Sequence, residues 1–246
     1  MSALLRAELL KLRTTRTTWV LLAVALAIVV GALVIILSLL DRGGTVTDED
    51  LGGLFTFTSI ADLLVLCLGI VAAAGEFRHG TITAGFLITP SRWPVVVAKA
   101  IAYALVGLAY TAATLLIVVV VALPWLAAKD VTLELGGAAW IAPVAGRLIY
   151  GALTAALGVG LGTLFRNQAA ALVTALVALL AIEPALTAVS DTVATYGLSG
   201  ASAALFGASE EFGDVLPFWA GALLYAGYTA LFVGAGVALT LRRDVA

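Results

Sequence analysis

The side chains in this sequence that could do chemistry are few and far apart. One histidine, His79, and one cysteine, Cys67, supply the only imidazole and thiol in 246 residues. Two such groups on separate segments give no zinc-type site, which needs three or four N and S donors close together. The single thiol has no internal disulfide partner and reads as packing within an apolar run, silent on redox compartment. The three lysines follow Leu10, Ala98 and Ala128, never a glycine, so the sequence holds no phosphate-cradling G-x-x-x-x-G-K-[ST] loop. A catalytic serine would need a base within hydrogen-bond reach, and His79 is the one imidazole available to it. Asp62 and Arg147 stand out for a different reason. Both fall inside long apolar runs, where ionisable groups are rare and either pair or face a cavity.

The elements that must position these residues are membrane spans. The chain is 63% hydrophobic and 11% charged, with mean hydropathy +1.14, whereas soluble domains carry about a quarter charged residues. The bilayer is therefore the expected solvent. A helix needs roughly 20 mostly apolar residues to cross it, because unsatisfied backbone groups are too costly in lipid. Six segments qualify: 19–40, 55–74, 95–123, 138–165, 168–189 and 218–241. The expected fold is an all-α membrane protein with a single transmembrane domain over residues 1–246. The first apolar run is longer than a signal-peptide core and no small-x-small cleavage site follows it, so it reads as a retained span. Residues 1–17 read as an amphipathic interfacial helix. Leu4, Leu5, Leu9 and Leu12 share one face of it, interrupted by Glu8.

Orientation follows from the basic residues near span ends. Ten of thirteen, Arg6, Lys11, Arg13, Arg16, Arg78, Arg92, Lys99, Arg166, Arg242 and Arg243, collect on one side, and only Arg42 and Lys129 on the other. Both termini and the segment 75–94 are thereby expected in the cytoplasm of a multi-pass protein. On this topology Asp62 and Arg147 lie about 9 to 14 Å below the outer boundary, at roughly 1.5 Å per residue. An ion pair between them and outward snorkelling of Arg147 are both open. Gly158 and Gly162, and Ala230, Gly234 and Ala238, recur at spacing four, as close helix contacts do.

The segment 190–217, rich in Gly, Ala and Ser, reads as an extracellular or re-entrant piece, with Glu183-Pro184 ending the preceding helix early. Within it Gly197-Leu198-Ser199-Gly200 resembles the nucleophile motif of rhomboid intramembrane proteases. The expected topology separates Ser199 from His79 by a hydrocarbon core of about 30 Å, which no hydrogen bond spans. The match is compositional, and the chain is not expected to be an enzyme.

Most patterned is GEFRHGTITAGFLITPSRWPVVVAK, residues 75–99. A polar cluster ends the second span, Gly80-Thr81 breaks the helix, residues 82–88 give a short helix with an apolar side, and Pro90 and Pro94 punctuate the return. Three residues, Arg-Asn-Gln, suffice to turn the chain between spans four and five, so topology alone does not require such a cassette.

With its basic N-terminal helix, six spans, GEFRHGT, and ITPSRW in place of a TPxSR-like stretch, the chain resembles the ABC-2 type permeases of ABC transporters, of type V exporter-like architecture. The resemblance implies that residues 75–94 carry a coupling helix for a separate cytoplasmic ABC ATPase. Glu76, Arg78, His79, Gly80 and Thr81 would form the approach to it. Thr83, Phe86, Leu87 and Thr89 would lie on its body, with Arg92 beyond. It implies no cofactor in this chain, ATP and Mg being bound by the partner, and a second permease chain as homodimer or heterodimer. Lipid, but no nucleic acid, would be the remaining contact, and the location a bacterial plasma membrane. The expected function is export of hydrophobic or amphipathic compounds such as drugs, antibiotics or peptides. An ion-coupled secondary carrier and a non-transporting scaffold or sensor are the alternatives.

Overall fold

The computed structural model describes residues 1–39, 45–46, 48–78, 80, 93–130, 132–133, 141–207 and 216–242. It describes their side chains except at 39, 45–46, 48–61, 132–133 and 241–242. In chain order the helices are α1 Ser2–Thr14, α2 Arg16–Leu39, α3 Asp48–Arg78, α4 Trp93–Ala128, α5 Ile141–Phe165, α6 Gln168–Val177, α7 Glu183–Thr187, α8 Asp191–Tyr196, α9 Leu198–Phe206 and α10 Phe218–Arg242. A π turn, Ala178–Ile182, joins α6 to α7. The only departure from helix among the described elements is a two-residue parallel pairing, Thr45–Val46 (β1) with Thr132–Leu133 (β2).

Five stretches, Arg16–Ser38, Trp93–Ala128, Ile141–Phe165, Gln168–Thr187 and Phe218–Thr240, are long and apolar enough to cross a membrane. They form as helices because a continuous run of Val, Leu, Ile and Ala leaves the backbone no water to bond. At 36 residues α4 reaches about 54 Å at 1.5 Å per residue, so it outruns a hydrocarbon core of about 30 Å. Pro94 in its first turn removes a donor that has no helical partner anyway.

At the centre of the bundle is α5. Of its apolar window 61% is buried inside the chain, against 11 to 22% for the other four, and it packs on α3, α4, α9 and α10. Glycine makes this possible on several faces. A Cβ at Gly158 would strike the carbonyl of Leu66, and one at Gly162 would lie 2.6 Å from that of Ile70. Gly151 packs on Gly107 and Thr111 of α4, Gly146 on the Leu205 carbonyl of α9, and Gly160 with its added Cβ would lie 2.7 Å from the Val233 nitrogen of α10. Small residues let backbones approach where lipid supplies no hydrophobic drive between helices.

Two sequence expectations are corrected here. Gly234 meets nothing within 4 Å, and Ala230 and Ala238 are exposed, so that stripe faces outward and makes no helix contact among the described residues. Gly236 is the small residue of α10 that lies close to α5, an added Cβ lying 3.1 Å from the Gly160 carbonyl. Nor does Glu183-Pro184 end the preceding helix. The π turn widens the backbone just before Pro184, accommodating a ring that would clash with the carbonyl four residues back, and helix continues to Thr187.

The segment after it folds as α8 and α9. Ser190 caps α8 by accepting from the Val193 N–H, and Gly207, at φ 70°, ends α9 in the left-handed region that glycine adopts without strain. Most of α9 is buried, resting on α5 and α10. The tight turn between α5 and α6 uses Arg166 at φ 54° and Asn167, which caps α6 through the Ala170 N–H.

Candidate functional site

Charged side chains gather in three places, the first at the end of the bundle that carries α1. Helix α1 stops at Thr15, which is extended, and the Thr14 and Thr15 hydroxyls donate to carbonyls of its last turn. The break lets α1 fold back against α4. Its inward face is not a pure leucine stripe: the buried residues are Glu8 and Leu12, with Leu5 and Leu9 partly covered.

Glu8 enters a four-membered charge ring. Lys99 Nζ lies 2.5 Å from Glu8 Oε2 and 2.9 Å from Glu76 Oε1. Lys11 Nζ lies 2.7 Å from Glu8 Oε1 and 2.8 Å from the same Glu76 oxygen. Lys99 also sits over the Tyr103 ring at 5.9 Å. The side chains of Lys99 and Glu8 are 5% and 6% exposed, so each needs the other: a buried charge without a partner is strongly unfavourable. Burial pushes the Glu76 carboxyl up, but Lys99 and Lys11 outweigh it and hold the group below its ordinary 4.5. Burial likewise pulls Lys11 down, and Glu76 and Glu8 hold it above 10.5. The ring is neutral and internally satisfied, which suits a clamp and not proton transfer. It ties α1 to the last turn of α3 and the first turns of α4, the two helices that bracket residues 79–92.

A second pair lies deep in the bundle. Arg147 Nη1 approaches Asp62 Oδ2 to 2.5 Å, with the side chains 1% and 0% exposed. The guanidinium carbon stands 5.6 Å from the Tyr150 ring centre and 5.2 Å from that of Phe206. The contact is a close approach of charges at angles that leave both groups without a directed hydrogen bond among the described residues. Tyr110 Oη and Thr111 Oγ1 are buried in the same condition. The arrangement fixes α3 to α5 and, through Phe206, to α9.

The third grouping joins α7 to α9. Glu183 Oε1 accepts from the Ser199 N–H at 2.6 Å and from its hydroxyl at 3.1 Å. Ser199 is thus bonded to a carboxylate that also satisfies a free N–H at the start of α9. Nearby, Tyr150 packs edge-on to Phe206 and Tyr225, at 5.0 and 5.1 Å between ring centres, and Thr154 and Tyr225 share a hydrogen bond of 2.8 Å.

Of the residues singled out from sequence, the structure brings Asp62 and Arg147 together and places Glu76 in the charge ring. Arg78 is exposed at the end of α3, and Gly80 follows at φ 66°. His79, Thr81, Thr83, Phe86, Leu87, Thr89 and Arg92 lie outside the described residues. Glu8, Lys11, Lys99, Glu183 and Tyr150 were not among the site residues expected from sequence. A signal existed for Glu8, a charge on the leucine stripe of α1. Lys99 and Lys11 resembled ordinary topology charges and gave none. Among the described residues no group of three or more His, Cys, Asp or Glu could hold a metal ion. No protein-family model matches the chain, and no curated protein matches it.

Proposed function

We propose that this chain is the membrane subunit of an ATP-driven exporter of the ABC-2 permease type, with ATP hydrolysed on a separate cytoplasmic subunit. On this reading α3 also crosses the membrane, as the second of six spans, and residues 1–17, with both termini, face the cytoplasm of a bacterial cell. The observation that carries it is the charge ring of Glu8, Lys11, Glu76 and Lys99. It clamps α1, α3 and α4 into one unit at the base of the patterned segment 75–94, so a push on that segment reaches both helices together. Rigid-body motion of such a unit is a standard way to convert closure of one protein into movement of another. The deep Asp62–Arg147 pair then holds α3 to the central helix at a second level, carrying the motion inward. Cargo would be hydrophobic or amphipathic.

The ring also decides which variant tests coupling. Glu76→Lys would place a third ammonium beside Lys11 and Lys99 and disrupt the clamp itself. A photo-crosslinking residue at Phe86 leaves the clamp intact. Ultraviolet irradiation of membranes from the source cell is expected to give an adduct containing a P-loop ATPase, while the same probe at Trp219, exposed on α10, gives none. Failure to capture an ATPase from any position between 83 and 89 contradicts the proposal.

A further inference from the structure

A cavity of about 230 Å³ opens between α3, α5, the π turn, α7, α9 and α10. Most of its wall is apolar, with Leu66 and Leu157 at the back and Leu180, which is 61% exposed, at the rim. Its polar lining residues are Glu183, Ser199 and Ser202, from α7 and α9, and Tyr150, Thr154 and Tyr225, from α5 and α10. The π turn sets Leu179 and Leu180 into the wall directly ahead of Glu183, and such turns concentrate at functional sites.

Charge makes the cavity selective. Asp62 and Arg147, behind Tyr150, neutralise each other. Among the described residues Glu183 has only Ser199 as partner, and no lysine or arginine pairs with it. A carboxylate facing an apolar space is stabilised by an opposite charge brought in by a ligand, and aromatic rings add attraction for a cation. A bare metal ion would leave the leucine wall without a role. Size limits the ligand too, since pockets for drug-sized molecules run to roughly 300–1,000 Å³.

We propose that this cavity binds a small organic cation, an amine or quaternary ammonium carrying one apolar ring, with its charge against Glu183 and its body against the leucines. The proposal rests on the transport reading only in calling that ligand cargo; binding itself needs no ATPase and is measured without one.

The test is equilibrium binding of radiolabelled benzyltrimethylammonium to the purified full-length chain in detergent, with neopentylbenzene, its uncharged isostere, as competitor. Saturable binding is expected, weakened at least about tenfold by Glu183→Gln, which keeps an acceptor for Ser199 while removing the charge. Neopentylbenzene is expected not to compete. Should Glu183→Gln fail to fold, Leu180→Trp serves instead, because it blocks the rim from an exposed position and is expected to abolish binding. Undiminished binding in whichever variant folds, effective competition by neopentylbenzene, or no saturable binding at all overturns the proposal. None of these results bears on whether an ATPase docks at residues 83–89, so the two readings fail separately.

Discussion

At the scale of single residues the fold is held by buried charges that either pair or face a cavity. Asp62→Asn leaves the Arg147 guanidinium buried and uncompensated, and breaking such a pair costs about 3–5 kcal/mol. The expected outcome is a large fall in thermal stability in detergent, with much of it recovered by Asp62→Leu combined with Arg147→Met. A double variant as unstable as the two single losses added together would show that the groups act separately. The charge ring makes a pH prediction. The Glu76 carboxyl is held below 4.5, so its stabilisation is present above that pH and is lost as pH falls through the lower, folded value. Lys11 is held above 10.5, so its share is present below that pH and is lost only as pH rises through the higher, folded value. Docking of α1 is therefore expected to be flat across neutral pH and to weaken below about 4.5. Hydrogen exchange of the α1 amides, corrected for intrinsic rates, checks it; protection unchanged at pH 3 would contradict the ring's role. Asp62 and Arg147 were legible in the sequence because a charge within an apolar run has no ordinary explanation. Glu8 was marked only as a charge on a leucine stripe and Lys99 as an ordinary charge near a span end; their meeting was not legible, because it depends on how α1 folds back.

Among the elements, the central helix α5 carries the architecture, and its glycines carry α5. An Ala at Gly158 must push the Leu66 carbonyl away, separating α3 from α5 about one turn along α3 from Asp62. Overpacking of this kind costs about 1–3 kcal/mol. Gly234→Ala, on the open side of α10, is expected to be neutral or to stabilise by up to about 1 kcal/mol through helix propensity. Thermal melts of the two variants check the contrast, and equal losses would contradict the packing described. Spacing of four identified Gly158 correctly as a contact and misplaced the Ala230, Gly234 and Ala238 stripe, because periodicity finds a face but not what covers it. Pro184 misled for a related reason. Its ring forbids an ordinary α-turn, but a one-residue widening to a π turn keeps the helix going, and that choice depends on neighbours that sequence does not reveal.

For the whole molecule, hydropathy alone made the helical, membrane-spanning character legible, since a run of twenty apolar residues has few other fates. The folded arrangement adds a division of labour: a charge ring at one end, a buried ion pair within, and a carboxylate-bearing cavity beside it. The proposed transport reading joins them into one device, driven from the segment 75–94. Its most direct test is to purify the tagged full-length chain from its native membrane in mild detergent and assay the eluate for ATP hydrolysis. The proposal expects a P-loop ATPase in stoichiometric amount, its hydrolysis blocked by vanadate. Replacement of residues 81–92 by a Gly-Ser linker should remove it, with the helical bundle still folded. A chain that purifies intact, with lipid but without any ATPase, would contradict it.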